Sequence, residues 1–451
     1  MSQELTTIVD KQLPLHREQL EDFIRIPSVS VESFDQSMLK KSANFVADLA
    51  RKQGFDVEII ELETEDGRKG RPAVLAHKHV GADRPTVLLY GHHDVQPEGT
   101  LEGWDQEDPY EPVERNGRLY GRGAADDKAG VMMHFGALEA LGDDLNVNVT
   151  LFIEGEEEVG SPTFHAFLEK YKDRLESDVM VVADAANWQV GIPALTVMLR
   201  GVVRLEVNVR TLNHGIHSGL MGGPAIDAVT AMSHIIASIH DENGDVRVEG
   251  LDGWEHTDVD YPEETFRQDA SIPDQVQLLG SGSITSTLWT KPHVCVVGMD
   301  VTPTSHATNT LAPTCKAYLS LRVAPGQNTH EAGEALARHV KAHAPWGAIV
   351  ETTVAEDGPG FLVDTSSPYI QVARDAFEEA WGHKSVDIGA GGSIPFVADL
   401  AEVFPNAAIL ITGIEDPDTR AHAHNESLDL GDWRNAILAE ALMLKKIGET
   451  K

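Results

Sequence analysis

Over its first 200 residues the sequence switches repeatedly between two hydrophobic periods. Short apolar runs, "PTVLLY" (85–90), "NVNVTLFI" (146–153) and "DVMVVAD" (178–184), read as buried strands. Between them lie helical stretches, "TIVDKQLPLHREQLEDFIRI" (7–26), "DKAGVMMHFGALEALG" (127–142) and "SPTFHAFLEKYKDRL" (161–175), the last opened by a serine cap and an early proline. Strands alternating with helices predict an α/β sheet with helices on both faces. Near Arg200 the style changes. "VVRLEVNVR" (202–210) alternates strictly, as a half-exposed strand does, and a helix follows in "PAIDAVTAMSHIIASIH" (224–240). Then come strand "HVCVVGM", strand "CKAYLSLRV", helix "THEAGEALARHVKAHA" and strand "AIVETTV". That β-α-β-β-α-β order predicts a ferredoxin-like α+β unit with a one-sided sheet. After "GPGF" the first style resumes, ending in strand "NAAILIT" and helix "LGDWRNAILAEALMLKKIG". A small domain, 200–355, is therefore expected as an insertion in a larger one made of 1–199 and 356–451. The length of 451 residues agrees with more than one domain. The Gly- and acid-rich stretch 241–291 carries no usable motif and reads as a loop that shapes specificity.

Composition excludes several classes of function. The net charge is −36, which argues against nucleic acid or an anionic membrane as partner. The apolar runs fall well short of the roughly 20 residues a membrane span needs. The polar N-terminus has no apolar signal core, so a soluble, unexported, cytoplasmic protein is expected. Cys295 and Cys315 are the only cysteines, too few for a disulfide framework, and neither belongs to a CxxC.

Chemistry-bearing residues gather where strands end or helices begin. "YGHHDVQP" places His92, His93 and Asp94 after a strand, and "GRGAADDKAG" places Asp126 and Asp127 before a helix. "LFIEGEEEVGS" puts Glu154, Glu156, Glu157 and Glu158 after another strand. Asp184 ends "DVMVVAD", and "RAHAHNES" brings His422 and His424 after the late strand. Singly, each has a plain structural explanation: a core histidine, a helix cap, a solvated glutamate run. Together they do not, because ligands in open α/β sheets collect beyond the carboxyl ends of the strands. Carboxylates packed there would repel one another without a counter-charge. Divalent cations remove that cost, and mixed His and carboxylate donors without thiolate suit zinc, manganese or cobalt.

These motifs resemble those of the co-catalytic zinc peptidases, the family of carnosinases, bacterial dipeptidases, aminoacylases and succinyl-diaminopimelate desuccinylase. "GHHDVQP" matches GHxDVxP, "GRGAADDKAG" matches GRGxxDDKG, and "EGEEEVGS" matches EGxEExGS. "GGSIP" and a late His before "NE" complete the set in family order, closest to the dipeptidase and carnosinase branch. The resemblance implies two divalent ions per subunit, zinc foremost, with manganese or cobalt as alternatives. Their ligands would be His92, Asp126 and Asp184 for one ion and Asp126, Glu158 and His422 for the other, Asp126 bridging across a cis peptide to Asp127. Asp94 would orient His92, and His93 fills a variable position. Glu157 would be the general base that takes a proton from a bridging water and gives it to the leaving amine. Glu156 stands at a variable position and reads as solvated, and Glu154 receives no chemistry. In the inserted lid and dimerisation domain, His217 of "NHGIHSGLMGGP" would reach the active site of the other subunit in a homodimer. Arg322, Ser393 and Gly392, with Gly391 beside them, would hold the substrate carboxylate. One departure from the family pattern is Ala129, which stands before Gly130 where relatives often have Gly directly after Lys.

The expected activity is hydrolysis of dipeptides with a free C-terminal carboxylate. The alternative with the same metal chemistry is an N-acyl-amino-acid deacylase. A non-catalytic protein that binds amino-acid-like ligands is the third reading, and the retention of Glu157 and every ligand position argues against it.

Overall fold

The computed structural model describes residues 2–256, 259–391 and 395–450. Gly392 and Ser393, read from sequence as part of a carboxylate pocket, lie outside the described residues. The chain divides into two units. One comprises Met1–Val197, Val363–Ile388 and Asp399–Lys451, the other Met198–Leu362 with Gly389–Ala398. The sequence reading had placed 389–398 with the larger domain.

The first unit is built on a six-stranded sheet. Its order is Asp56–Ile60, Ala73–Lys78, Asn148–Glu154, Thr86–His92, Val179–Val182, Ala408–Ile411. The first two pairings are antiparallel and the remaining three parallel. Strand 86–92 is buried from Val87 to His92 on both of its faces, so both faces of the sheet are covered. Helix Lys128–Leu141 buries every residue but Glu139, including Gly136, where a Cβ would stand 3.0 Å from Ile437 of the final helix Leu430–Glu449. The parallel strands all end at one edge. Register sets His92 beside Glu154, Tyr90 beside Val182 and Ile411 beside Val182. The residues that follow these strands are thereby brought to one place.

The stretch 161–175 departs from expectation. It forms two short helices, Phe164–Lys170 and Lys172–Leu175, separated at Tyr171. Ser161 does not cap them: its hydroxyl donates to the Glu154 carboxylate at 3.0 Å.

The second unit carries a four-stranded antiparallel sheet, ordered His293–Met299, Thr314–Val323, Gly201–Arg210, Ile349–Gly358. With helices Ala228–Ala237 and Thr329–Ala342 this is the ferredoxin-like arrangement that the sequence predicts. Val203, Leu205, Val207 and Val209 pack on Met232, Ile235, Leu336 and Val340 in one core cluster. Arg204 and Arg210 point the other way to solvent, as the pleat requires. Within 241–291 the described residues include two further short helices, Glu263–Asp269 and Ile284–Trp289.

Candidate metal centre

Strand geometry separates the two adjacent histidines. The His92 backbone N–H donates to Asp127 Oδ2 at 3.1 Å, and its imidazole turns toward Asp126. His93 faces the opposite way, its Nε2 donating to the Pro72 carbonyl at 2.7 Å, and burial pushes it down to about 4. His424 stands edge-on to Trp104, 6.2 Å between ring centres, and belongs to neither group of metal-competent side chains.

Two such groups form among the described residues. One is His92, Glu157 and Asp184; the other is Asp126, Glu158 and His422, and in each the donor atoms lie within 4.8 Å of one another. Asp126 joins them, with Oδ1 3.1 Å from His92 Nε2 and Oδ2 3.0 Å from His422 Nε2. His422 Nε2 is also 3.1 Å from Glu158 Oε2, and His92 Nε2 is 3.8 Å from Asp184 Oδ2. The Asp126–Asp127 peptide is cis. His422 adopts a left-handed backbone at φ 62°, flanked by Arg420 at 58° and Asn425 at 60°. Such a conformation costs a non-glycine residue about 1 kcal/mol or more, and it concentrates at functional sites.

The electrostatics are those of a site made for cations. Burial works to lower the His92 imidazole, but Asp126, Asp184 and Asp94 outweigh it and hold it well above the usual histidine range. Hydrogen bonds to Asp126 and Glu158 push His422 up to about 11. Burial, with neighbouring negative charge, pushes Glu157 up to about 8 and Glu158 up to about 7. All four shifts favour added positive charge at the site, which divalent cations would supply in place of protons. His92 Nε2 is buried and turned toward two carboxylates, Asp126 and Asp184, an arrangement that suits a cation among them. Two imidazoles and four carboxylates, with no thiolate, fit zinc, manganese or cobalt.

A supporting layer escapes the sequence reading. Asp94 does more than face His92 Nδ1 at 3.4 Å: its oxygens accept the backbone N–H groups of Glu157 (3.3 Å) and Glu158 (3.1 Å). Gln96 grips Glu158, donating its backbone N–H to Oε1 at 3.0 Å and its amide to Oε2 at 2.8 Å. The glutamate run is not a solvated face. Glu154 is 2% exposed and accepts the hydroxyls of Tyr90 and Ser161. Glu156, read from sequence as solvated, is 4% exposed and accepts the Thr163 N–H, the Thr163 hydroxyl and the Arg71 N–H at 2.6 to 3.0 Å. Glu426 is fully buried and binds Arg122 at 2.7 Å together with the backbone N–H groups of Gly123, Ala125 and Asp126. At Gly130 a Cβ would overlap Asp127 Oδ1 and sit 2.8 Å from the Ala183 carbonyl, so glycine is needed at that position whatever residue precedes it.

The description of peptidase family M20/M25/M40 matches residues 88–446. The chain belongs to that family. It is 37% identical, over 83% of its length and 84% of the relative's, to the cysteinylglycine-S-conjugate dipeptidase of Corynebacterium striatum. It is 27% identical to human Beta-Ala-His dipeptidase, over 93% of this chain and 88% of the other. The crystal structure of human carnosine dipeptidase 1 superposes with a TM-score of 0.75 at 23% identity, covering 100% of this chain and 99% of that one.

The remaining residues singled out for this M20 chain belong to the second unit. His217 is exposed in a short strand, opposite Thr310, with Nδ1 accepting the Gly219 N–H at 3.1 Å. His214 is exposed as well. Arg322 is half-buried on strand 314–323 opposite His293, and its charge, after burial, helps push the Arg200 guanidinium down to about 10. Arg200 is buried and donates to the carbonyls of Thr287 and Lys291. No helix among the described residues is long and apolar enough to cross a membrane.

Proposed function

We propose that this chain is a dinuclear metal-dependent dipeptidase acting on dipeptides with a free C-terminal carboxylate. The observation that carries this reading is the separation of the two adjacent glutamates, Glu157 beside His92 and Asp184, and Glu158 beside Asp126 and His422. The dipeptidase names of the similar proteins support it, and cysteinylglycine-type dipeptides are the first substrates to try. His92, Asp126 and Asp184 would hold one divalent ion, and Asp126, Glu158 and His422 the other, zinc being the expected metal. Bound there, the ions supply Lewis acidity that acidifies a water and polarises the amide carbonyl. Glu157, held by Asp94 through its backbone N–H, takes the water proton and delivers it to the leaving amine. Burial among negative charges makes Glu157 a stronger base than an exposed glutamate. His217 completes the site from the partner in a cytoplasmic homodimer, stabilising the developing oxyanion, and Arg322 takes the substrate carboxylate.

The test is hydrolysis of Cys-Gly and Ala-Gly by wild type, Glu157→Gln and Glu158→Gln, each metal-stripped and refilled with zinc or manganese. Glu157→Gln should keep two metals and lose about 10²–10⁴-fold in kcat. Glu158→Gln should lose metal. Reversal of these outcomes exchanges the two roles. Cleavage of N-acetyl amino acids alone makes the protein a deacylase.

A further inference from the structure

Glu415 takes no part in the scheme above, yet it lies at the same edge of the sheet. Strand 408–411 runs parallel to 179–182, and beyond their ends the two chains stay laced together. The Thr412 N–H bonds to the Val182 carbonyl at 2.9 Å, and the Asn187 N–H to the Glu415 carbonyl at 2.8 Å. Ala186 and Glu415 form an isolated parallel bridge. Gly413 makes the approach possible, since a Cβ there would overlap the Ala185 carbonyl. Glu415 is thus fixed beside the segment that carries Asp184, two residues past that group. Its side chain is half-buried, and among the described residues it makes no hydrogen bond or ion pair. Burial, then the negative charges of Asp126, Asp184 and Glu426, push its carboxyl well above the usual range, with His422 pulling the other way. Through the bridge to Ala186 it stands at the same end of the sheet as the metal-binding groups without being one of them.

A carboxylate that no protein group holds is free to accept a donor from a ligand, and a charged donor is the strongest match. Of the other carboxylates in this unit, Glu154, Glu156 and Glu426 accept protein donors, and among the described residues the Glu415 carboxylate does not. If the scissile carbonyl lies at the metal centre, the substrate atoms just beyond it are the Cα and the α-ammonium of the N-terminal residue. In an N-acyl amino acid the same place holds a neutral acyl chain, which gives a carboxylate nothing to bind.

We propose that Glu415 binds the α-ammonium of the substrate and so selects free dipeptides over N-acyl amino acids. This rests on the dipeptidase reading above and names the group that enforces it.

The experiment compares Ala-Gly with propionyl-glycine, the same molecule without the amino group, in wild type, Glu415→Gln and Glu415→Ala. Metal content is measured for each. Wild type should prefer Ala-Gly by about 100-fold or more in kcat/KM, because a site built around a polar group rejects the analogue that lacks it. Both variants should lose most of that preference, by a fall on Ala-Gly with propionyl-glycine little changed, and should retain two metals. An unchanged preference with metal retained overturns the ammonium site while leaving the dipeptidase reading intact. An equal fall on both substrates, or loss of a metal, makes Glu415 a structural or ligating residue and also overturns it. A wild type that cleaves propionyl-glycine and not Ala-Gly overturns both readings.

Discussion

The two units of this chain treat charge in opposite ways. In the first, Asp94, Asp126, Asp127, Glu154, Glu156 and Glu426 are all buried, and a set of N–H and O–H donors has been arranged around most of them. In the second, the core cluster is apolar, and ion pairs such as Arg204–Glu356 (2.9 Å) and Lys316–Glu206 (2.6 Å) lie at its surface. Taking carboxylates out of water costs several kcal/mol each unless they are paired. A fold tolerates that cost where the charges have work to do. The ferredoxin-like unit has no such centre among its described residues, and its candidate residues, exposed His217 and half-buried Arg322, stand ready for something outside their own core.

The sharpest way to break this contrast is to remove the carboxylate that joins the two ligand groups. Asp126→Ala should abolish binding of both metals and reduce turnover to background, a loss of more than about 10⁴-fold. Metal analysis after refilling, with circular dichroism to show that the fold persists, checks it. Retention of one tightly bound ion would mean that the two groups are independent sites. Next in size, His217→Ala and Arg322→Ala should each lower kcat/KM by about 10²–10³-fold with both metals kept, His217 through kcat and Arg322 mostly through KM. Metal loss in either variant would erase the division of labour between the units.

What could be read in advance follows the same divide. The ferredoxin-like order was legible because its strands alternate: "VVRLEVNVR" announces a buried face and a wet one without outside help. The candidate ligands could be singled out because their motifs arrive in family order, after strands or just before a helix. The supporting layer could not be. Nothing local marks Glu426 as the acceptor for backbone N–H groups some 300 positions earlier in the chain, or Gln96 as the clamp on Glu158. Glu156 looks solvated in a run of acids, and only the fold brings Arg71 and Thr163 to it. Ser161 reads as a cap because it precedes a proline and an apolar stretch. A stronger partner, the buried carboxylate of Glu154, takes its hydroxyl instead.

A smaller effect tests whether the donors around the buried charges serve the metals or only the fold. Glu426→Gln keeps the shape and one acceptor oxygen but weakens the hold on Arg122 and on the 123–126 backbone. Metal affinity should fall about 10–100-fold. Turnover at saturating metal should stay near the wild-type value, because Asp126 regains its place once the ions are bound. Titration with a competing chelator reads the first, and assays over a range of zinc concentrations read the second. Loss of stability with unchanged affinity would assign Glu426 to the fold alone.

The smallest effect belongs to the other unit and should leave the metals untouched. Asp227 caps helix 228–237, accepting the Thr230 N–H at 2.8 Å and the Thr230 hydroxyl at 2.7 Å. Asp227→Ala should cost about 1 kcal/mol of that unit's stability. Burial alone would raise the Asp227 carboxyl, but the hydrogen bonds to Thr230 outweigh it and hold the carboxyl below its usual range. A group depressed in the folded state stabilises above its unfolded value, about pH 4, and that gain is lost as pH falls through the lower folded value. The difference between wild type and variant should therefore be full at neutral pH and close on acidification, with zinc affinity the same in both proteins. Denaturant melts at several pH values, run beside a zinc titration, measure both quantities. A change in zinc affinity from a cap in the other unit would show that the apolar unit shapes the charged one, and the contrast between them would have to be given up.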